Sequence, residues 1–483
     1  MNNHINFAYL LFISFVAALG GFLYGYDTAV ISGTVSQVTD LFKLDTLSAG
    51  WYVGCALVGS IAGVAVAGVL GDLLGRKRAM MLSALLFTSS AIGCALCTDF
   101  TSLVVWRIDG GVGIGIASII CPLYISEVAA AEYRGRLVSL YQLAITVGFV
   151  GAYLINYVIL NYADSHVADG SVWTNIFVEQ SWRGMLGAET IPALMFCLVL
   201  FMIPESPRWL MAHNGREKAT AIVGRIYTSA QAVSQEISSV SASLQSQTKA
   251  GSTEFSILMR PRMFKGLLIG VAIAILGQFM GVNAVLYYGP TIFQDAGLSG
   301  SNALFYQVII GVVNTVTTVA ALLIIDKVGR KQLVYWGVSG MILSLLLIAG
   351  YFTYGERLGI APVWLLISFM LYIMCCAGSI CAVVWVILSE MYPTKVRAVA
   401  MSIAGFSLWI GTYLVGQLTP WMLENLTPPG TFLVFAGMCV PYMIIMYRGV
   451  PETTGKTLEE IEKYWLNDPR EAAQDATVAG DTL

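Results

Sequence analysis

The chain is patterned as long, nearly uninterrupted apolar stretches separated by short polar loops. They recur roughly every 30 to 40 residues, and each is long enough for the ~20 apolar residues that cross a ~30 Å hydrocarbon layer as a helix. The pattern predicts twelve spans, at residues 7–33, 47–71, 79–98, 101–128, 137–161, 184–203, 264–293, 303–325, 332–352, 361–390, 398–419 and 431–449. Backbone N–H and C=O groups surrounded by lipid need partners, and a helix supplies them within the segment. Stretches of this length do not suit the short alternating strands of an outer-membrane barrel. The expected fold is therefore an all-α membrane protein. The first stretch has no leading basic region or small-residue cleavage site, and it contains an acid, so it is expected to stay as a span.

Composition agrees with this reading. Only 11% of the 483 residues are charged and 57% are hydrophobic, against roughly 25% charged in soluble domains. The net charge of −3 hides a strong asymmetry. Of 26 Lys and Arg, only Lys43, Arg107, Arg183 and Arg357 fall outside one alternate set of loops and the C-terminal region. The positive-inside rule places those loops, and with them both termini, in the cytoplasm. The nine cysteines show neither metal-ligand spacing nor a disulfide framework; Cys375-Cys376 and Cys94/Cys97 are local clusters, expected to be small buried apolar residues. The chain has three histidines, no H-E-x-x-H and no Walker A lysine loop, so neither metalloproteolysis nor ATP-driven transport is indicated. No enzyme activity, metal or cofactor is expected, and no nucleic-acid partner.

A polar segment at 204–262 separates six spans from six. Its Ser- and Gln-rich part, from Ser234 to Ser246, is interleaved with apolar residues in a way that permits short amphipathic helices. The expected organisation is an N-terminal six-helix bundle at 1–203, a cytoplasmic linker at 204–262, a C-terminal bundle with its cytoplasmic end at 263–465, and a disordered tail at 466–483. The halves echo each other: Asp72-Leu73-Leu74-Gly75-Arg76-Lys77 follows the second span and Asp326-Lys327-Val328-Gly329-Arg330-Lys331 follows the eighth. A duplicated six-span unit follows, giving two pseudo-symmetric bundles with a substrate site at their interface, the architecture of alternating access. In the repeated motif the glycine allows close backbone approach and Asp72 is placed to accept hydrogen bonds from a helix N-terminus. The bland reading, ordinary basic loop residues, does not account for the repetition at matching places.

Taken together, several motifs resemble the sugar porters of the major facilitator superfamily along nearly the whole chain. They are the double D-x-x-G-R-K, Arg107 followed by Gly111-Val112-Gly113-Ile114-Gly115, Pro204-Glu205-Ser206-Pro207-Arg208-Trp209, Gln278-Phe279-Met280-Gly281-Val282-Asn283 and Pro451-Glu452-Thr453-Thr454-Gly455-Lys456. Gly25-Tyr26-Asp27-Thr28-Ala29-Val30 is similar to the bacterial xylose/proton symporters of that family. The resemblance implies uptake of a monosaccharide together with a proton across the bacterial inner membrane, by a monomer embedded in the bilayer.

An ionisable group within a span costs about 3 kcal/mol on insertion scales and is normally retained for a pathway or relay. Asp27 is accordingly the candidate proton-coupling residue, and Arg107, a cation inside a span, its candidate partner; a purely structural ion pair is the alternative. The resemblance implies the same pair, and that uncoupled facilitators carry an amide in place of the acid. For sugar recognition it implies Gln142, Gln278, Asn283 and Asn314 as hydrogen-bonding groups, with Tyr24, Tyr287, Trp385 and Trp409 lining the cavity. The bland alternative for the amides is bonding between helices. Phe149, Gly277 and Leu408 stand where the xylose symporters have glutamines, and Ile380-Cys381-Ala382-Val383-Val384-Trp385 lacks the usual Gly-Pro pair, so a less polar pocket is expected. Asp109 replaces an apolar residue, with three readings open: reaching the cavity, competing with Asp27 for Arg107, or snorkelling outward. At the cytoplasmic ends the expected gate comprises Asp72, Arg76, Glu127, Arg134, Glu205, Asp326, Arg330, Glu390 and Arg397. Glu127 is expected to pair with Arg134, Glu205 with Arg208 and Glu390 with Arg397, broken when the carrier opens inward. An uncoupled facilitator and a sugar-sensing receptor remain the alternative functions, the latter disfavoured by the short tail.

Overall fold

The computed structural model describes residues 5–130, 132–167, 170–247, 258–259, 261–392 and 396–450. The Pro451–Lys456 motif and the expected tail at 466–483 lie outside the described residues. Twelve helical spans are present: Phe7–Gly33, Thr46–Leu74, Arg76–Leu96, Phe100–Val128, Arg134–Ser165, Ser181–Leu200, Met263–Asp295, Gly300–Ile325, Arg330–Gly355, Val363–Met391, Val399–Asn425 and Thr427–Arg448. They are numbered span 1 to span 12 below. The protein is an all-α, multi-pass membrane protein of two six-helix bundles. Spans alternate in direction, so one face of the molecule carries the basic loops and the linker; it is called the basic face, and the other the opposite face.

Caps start several helices where the sequence places short polar side chains. Asp45 and Asp99 accept backbone N–H bonds from Ser48 and Ser102, at 3.0 and 2.9 Å, on the opposite face. Hydrogen bonds from the Ser48 hydroxyl and backbone to Asp45, and from the Ser102 backbone and hydroxyl to Asp99, hold both carboxyls below the usual carboxylate range. Lipid-facing surfaces are apolar, as at Val69, Leu73, Leu198 and Leu323, each more than half exposed on the protein alone. Inside each bundle small residues let helices approach closely. A Cβ on Gly25 of span 1 would strike the carbonyl of Ile145 in span 5, and one on Gly148 would strike that of Phe22. Spans 2 and 4 interleave in the same manner at Gly59 and Gly63 against Gly111 and Gly115.

The described part of the linker is largely helical. Its helices are Pro207–Ala212, Arg216–Ile226 and Ala230–Gln247, and Ala219, Val223 and Ile237 form a small apolar cluster of their own with Leu210, Met211 and Val233 packed around it. Asn6 donates its backbone N–H to the Ile226 carbonyl at 2.8 Å, tying the linker to the start of span 1.

Spans 7 and 10 are broken near mid-membrane. Span 7 divides into Pro261–Phe279 and Val282–Asp295 around Gly281, whose φ of +91° suits glycine. Span 10 divides into Val363–Ala377 and Ile380–Met391 around Gly378 and Ser379. Unwound backbone within membrane-embedded helices is tolerated only where it is buried in protein or lines a cavity, so these breaks point to where the two bundles work on a substrate.

The bundles meet on the opposite face. Thr46 of span 2 donates to Glu424 of span 11 at 2.7 Å, and Gln417 of span 11 donates to the Leu47 carbonyl at 2.9 Å. A Cβ on Gly50 would collide with the Gln417 carbonyl. Spans 5 and 8 continue the contact, with Tyr157 against Phe305 and Thr315 donating to the Thr146 carbonyl at 3.1 Å near mid-depth. Tyr153 of span 5 donates to the Leu286 carbonyl of span 7 at 2.9 Å. The opposite face is thus packed shut.

Candidate functional site

Asp27 and Arg107 are brought together in the core of the first bundle. Arg107 donates to Asp27 Oδ1, and both side chains are almost fully buried. The room for this pair comes from Gly110, one turn along span 4, where a Cβ would meet Asp27 Oδ2 at 2.8 Å. Asp27 Oδ2 and Arg107 Nε have no hydrogen-bond partner within the protein, so the pair is incompletely satisfied in a place where such groups are costly.

A third ionisable residue, missed in the sequence, is buried within electrostatic range of the pair. Glu189 of span 6 is 3% exposed, its Oε1 lacks a partner within the protein, and it interacts electrostatically with both Asp27 and Arg107. It lies where span 6 is interrupted, between Ser181–Gly187 and Thr190–Leu200. The signal was available: an acid inside a predicted span is the same indication that singled out Asp27. Asp109 is not part of this group. It accepts a hydrogen bond from Ser89 of span 3 at 2.6 Å, two residues and hence a different helix face from Arg107, and does not compete with Asp27.

The amide residues of the second bundle gather at the break in span 7. Asn283 donates to Gln278 Oε1 at 2.7 Å, and Thr412 of span 11 donates to the same oxygen at 3.1 Å. One side of the break is therefore tied to the other and to span 11, which orients the Gln278 amide. Trp409, also on span 11, packs against Tyr24 of span 1 with ring centroids 5.8 Å apart, bringing the two bundles' aromatic groups together. Tyr287 is buried, whereas Trp385 is 42% exposed with its ring edge near Gly405. Gln142 on span 5 and Asn314 on span 8 are half-buried. Phe149 packs against Tyr153 with ring centroids 6.0 Å apart, and a Cβ on Gly277 would fit in ordinary contact with Ile380 at 3.7 Å and Tyr442 at 3.8 Å.

The basic face differs from the sequence expectation in its pairings. Arg76 bonds Glu127 through Nε and Nη2, at 3.0 to 3.2 Å, and Asp72 at 2.9 Å. Glu127 is thus paired with Arg76 and not with Arg134, which is exposed. Glu205, not Asp72, caps span 3: its carboxylate accepts the backbone N–H groups of Arg76 at 2.9 Å and Lys77 at 3.0 Å. The reason is geometric. Gly75 turns the chain at φ +93°, which aims the span 3 N–H groups at the Pro204–Pro207 stretch, while the Asp72 side chain stays 76% exposed. In the second bundle Arg330 pairs with Glu390 at 3.0 Å, and Arg397 instead donates to the Tyr392 carbonyl at 3.2 Å. Gly329 repeats the Gly75 conformation at φ +94°; the Asp326 side chain lies outside the described residues. These ion pairs lie within one bundle or the other, and they are formed while the opposite face is closed.

With this geometry in view, the comparisons with known proteins are decisive. The family described as "Sugar (and other) transporter" matches residues 13–465. The chain belongs to the sugar transporter family. It is 38% identical to the arabinose-proton symporter of Bacillus subtilis (strain 168), covering 95% of each chain, and 36% identical to the D-xylose-proton symporter of Escherichia coli (strain K12), covering 99% of this chain and 100% of the relative. The inward open conformation of the xylose transporter from E. coli superposes with a TM-score of 0.81 at 34% identity, covering 95% of this chain and 100% of that one. The fold is that of the major facilitator superfamily, and this member of the family is a transporter and not an enzyme.

Proposed function

We propose that the protein takes up a monosaccharide together with a proton, with D-xylose the first substrate to test and arabinose, galactose and glucose behind it. The basic face then lies in the cytoplasm, with both termini. The observation that carries the reading is the buried Asp27–Arg107 ion pair, with Asp27 Oδ2 and Arg107 Nε left without partners and the buried acid Glu189 within electrostatic range. A structural pair alone needs one acid. The names of the relatives, symporters of xylose and of arabinose, support the same class of activity.

In this mechanism Asp27 takes a proton when the site is open to the outside. Its charge is neutralised, its hold on Arg107 weakens, and Glu189 becomes the carboxylate that faces Arg107. Span 1 is then less tightly tied to span 4. Sugar bound between the bundles, by the Gln278–Asn283 pair on one side and by Tyr24 and Gln142 on the other, draws the halves together, and the loaded carrier opens to the basic face. Release of sugar and proton restores the Asp27–Arg107 pair.

Labelled D-xylose uptake into proteoliposomes, with and without an inward proton gradient, tests the proposal. Accumulation above equilibrium that an uncoupler abolishes is expected; equilibration without accumulation would make the protein a facilitator. Asp27→Asn is expected to lose accumulation while keeping exchange of labelled sugar across the membrane. Its elution as a monodisperse peak, compared with wild type, guards against loss through misfolding, because breaking a buried ion pair costs about 3 to 5 kcal/mol.

A further inference from the structure

The break in span 10 holds two thiols in contact. Cys376 Sγ lies 3.6 Å from Cys381 Sγ, with Cys376 in the last turn of Val363–Ala377 and Cys381 in the first of Ile380–Met391. In a continuous helix, residues five apart point about 140° away from one another, since each residue turns about 100°. The two thiols meet only because the chain leaves helical geometry at Ser379, whose φ and ψ are −126° and −85°. Cys375 does not share the contact. It faces span 9, where a Cβ on Gly340 would strike its sulfur, and its carbonyl accepts the Ser379 hydroxyl at 2.6 Å.

The two members differ in access. Cys376 is 1% exposed, whereas Cys381 is only partly buried. Trp385 follows Cys381 by one helical turn on the same face. Further along the same segment Glu390 anchors it to Arg330 on the basic face. The joint therefore connects the outer part of span 10 to a segment that carries both a cavity aromatic and an ion pair.

We infer that Cys376 and Cys381 are an oxidisable pair whose disulfide locks the joint of span 10 and arrests transport. The oxidant is a peroxide. The Cys381 thiol, the accessible one, is oxidised by hydrogen peroxide to a sulfenic acid with release of one water; the Cys376 thiol then attacks that sulfur, the S–O bond breaks, and a second water leaves. Two thiols lose two electrons and two protons, and the peroxide is reduced to two waters in all. The sulfurs must close from 3.6 Å to about 2.05 Å. The bond would staple the two halves of the span across a hinge that has no other covalent restraint beyond the backbone, and Ile380–Met391 could no longer turn against Val363–Ala377.

The experiment uses the full-length protein in proteoliposomes, treated with hydrogen peroxide and then with dithiothreitol. Differential alkylation and mass spectrometry of the peptide carrying both cysteines read the disulfide without any sugar, so this part stands or falls independently of the proposed transport reading, on which only the uptake readout rests. Reduced wild type supplies the uptake baseline. Oxidised wild type and Cys375→Ser are expected to lose both alkylation sites and to fall at least tenfold in initial uptake, with recovery under dithiothreitol. Cys376→Ser and Cys381→Ser are expected to keep their uptake under the same oxidant. Failure to form the linkage at saturating peroxide overturns the inference, as does formation of the linkage with unchanged uptake, or equal inhibition of the two serine variants.

Discussion

At the scale of single residues, the chemistry is concentrated where span helices are interrupted or crowded by glycine. Asp27 needs Gly110 opposite it, and Glu189 sits between the two helical segments of span 6. If Glu189 shares Arg107 with Asp27 during the cycle, Glu189→Gln lowers the accumulation ratio about tenfold, equivalent to roughly 1.4 kcal/mol of coupling, while exchange changes much less. An unchanged accumulation ratio removes Glu189 from the relay. Asp109 shows the opposite outcome: a charge that looks functional by its place in a span is bonded to Ser89 of the neighbouring helix.

At the scale of elements, the linker and the first bundle are joined by the Glu205 carboxylate. It accepts the first N–H groups of span 3, whose helix dipole favours a negative charge there. Next to it, Ser206 caps the helix Pro207–Ala212 with Pro207 at its first position, and Tyr124 donates to the Pro204 carbonyl at 2.9 Å. Glu205→Gln keeps the shape but gives up the charge, and is expected to cost about 1 to 3 kcal/mol, read as a lower thermal unfolding midpoint in detergent. The motif at 204–209 is therefore a mechanical joint as well as a family signature. An unchanged midpoint would assign the anchoring to the Arg76–Glu127 pair instead.

At the scale of the whole molecule, closure of the opposite face among the described residues rests on backbone approach, with no ion pair seen there between the bundles. Gly50 against the Gln417 carbonyl is the tightest of these contacts, with Thr46–Glu424 beside it. Gly50→Leu would wedge that face apart and hold the carrier with its site open to the opposite face. Sugar binding to purified protein is expected to survive within a few-fold, while uptake falls by at least tenfold. Loss of binding together with uptake would mean that the substitution damages the site and not the closure. The basic-face ion pairs, by contrast, lie within bundles, so they hold each half rigid as it moves.

The sequence alone determined the twelve spans, the duplication, the family and the Asp27–Arg107 pair, because hydropathy, repeated motifs and the cost of a charge in lipid are properties of the chain read in one dimension. The breaks in spans 7 and 10 were not read from the sequence; Gly281 and Ser379 take their special conformations only in the fold. What the tertiary structure decided were the partners. Which acid Arg76 meets, that Glu205 and not Asp72 caps span 3, that Glu189 is buried within electrostatic range of the Asp27–Arg107 pair and that Cys376 touches Cys381 all depend on helix crossings, on glycine turns and on interrupted helices. Spacing along a chain fixes neighbours only within a regular helix, and the functional contacts here are made between helices or across their breaks.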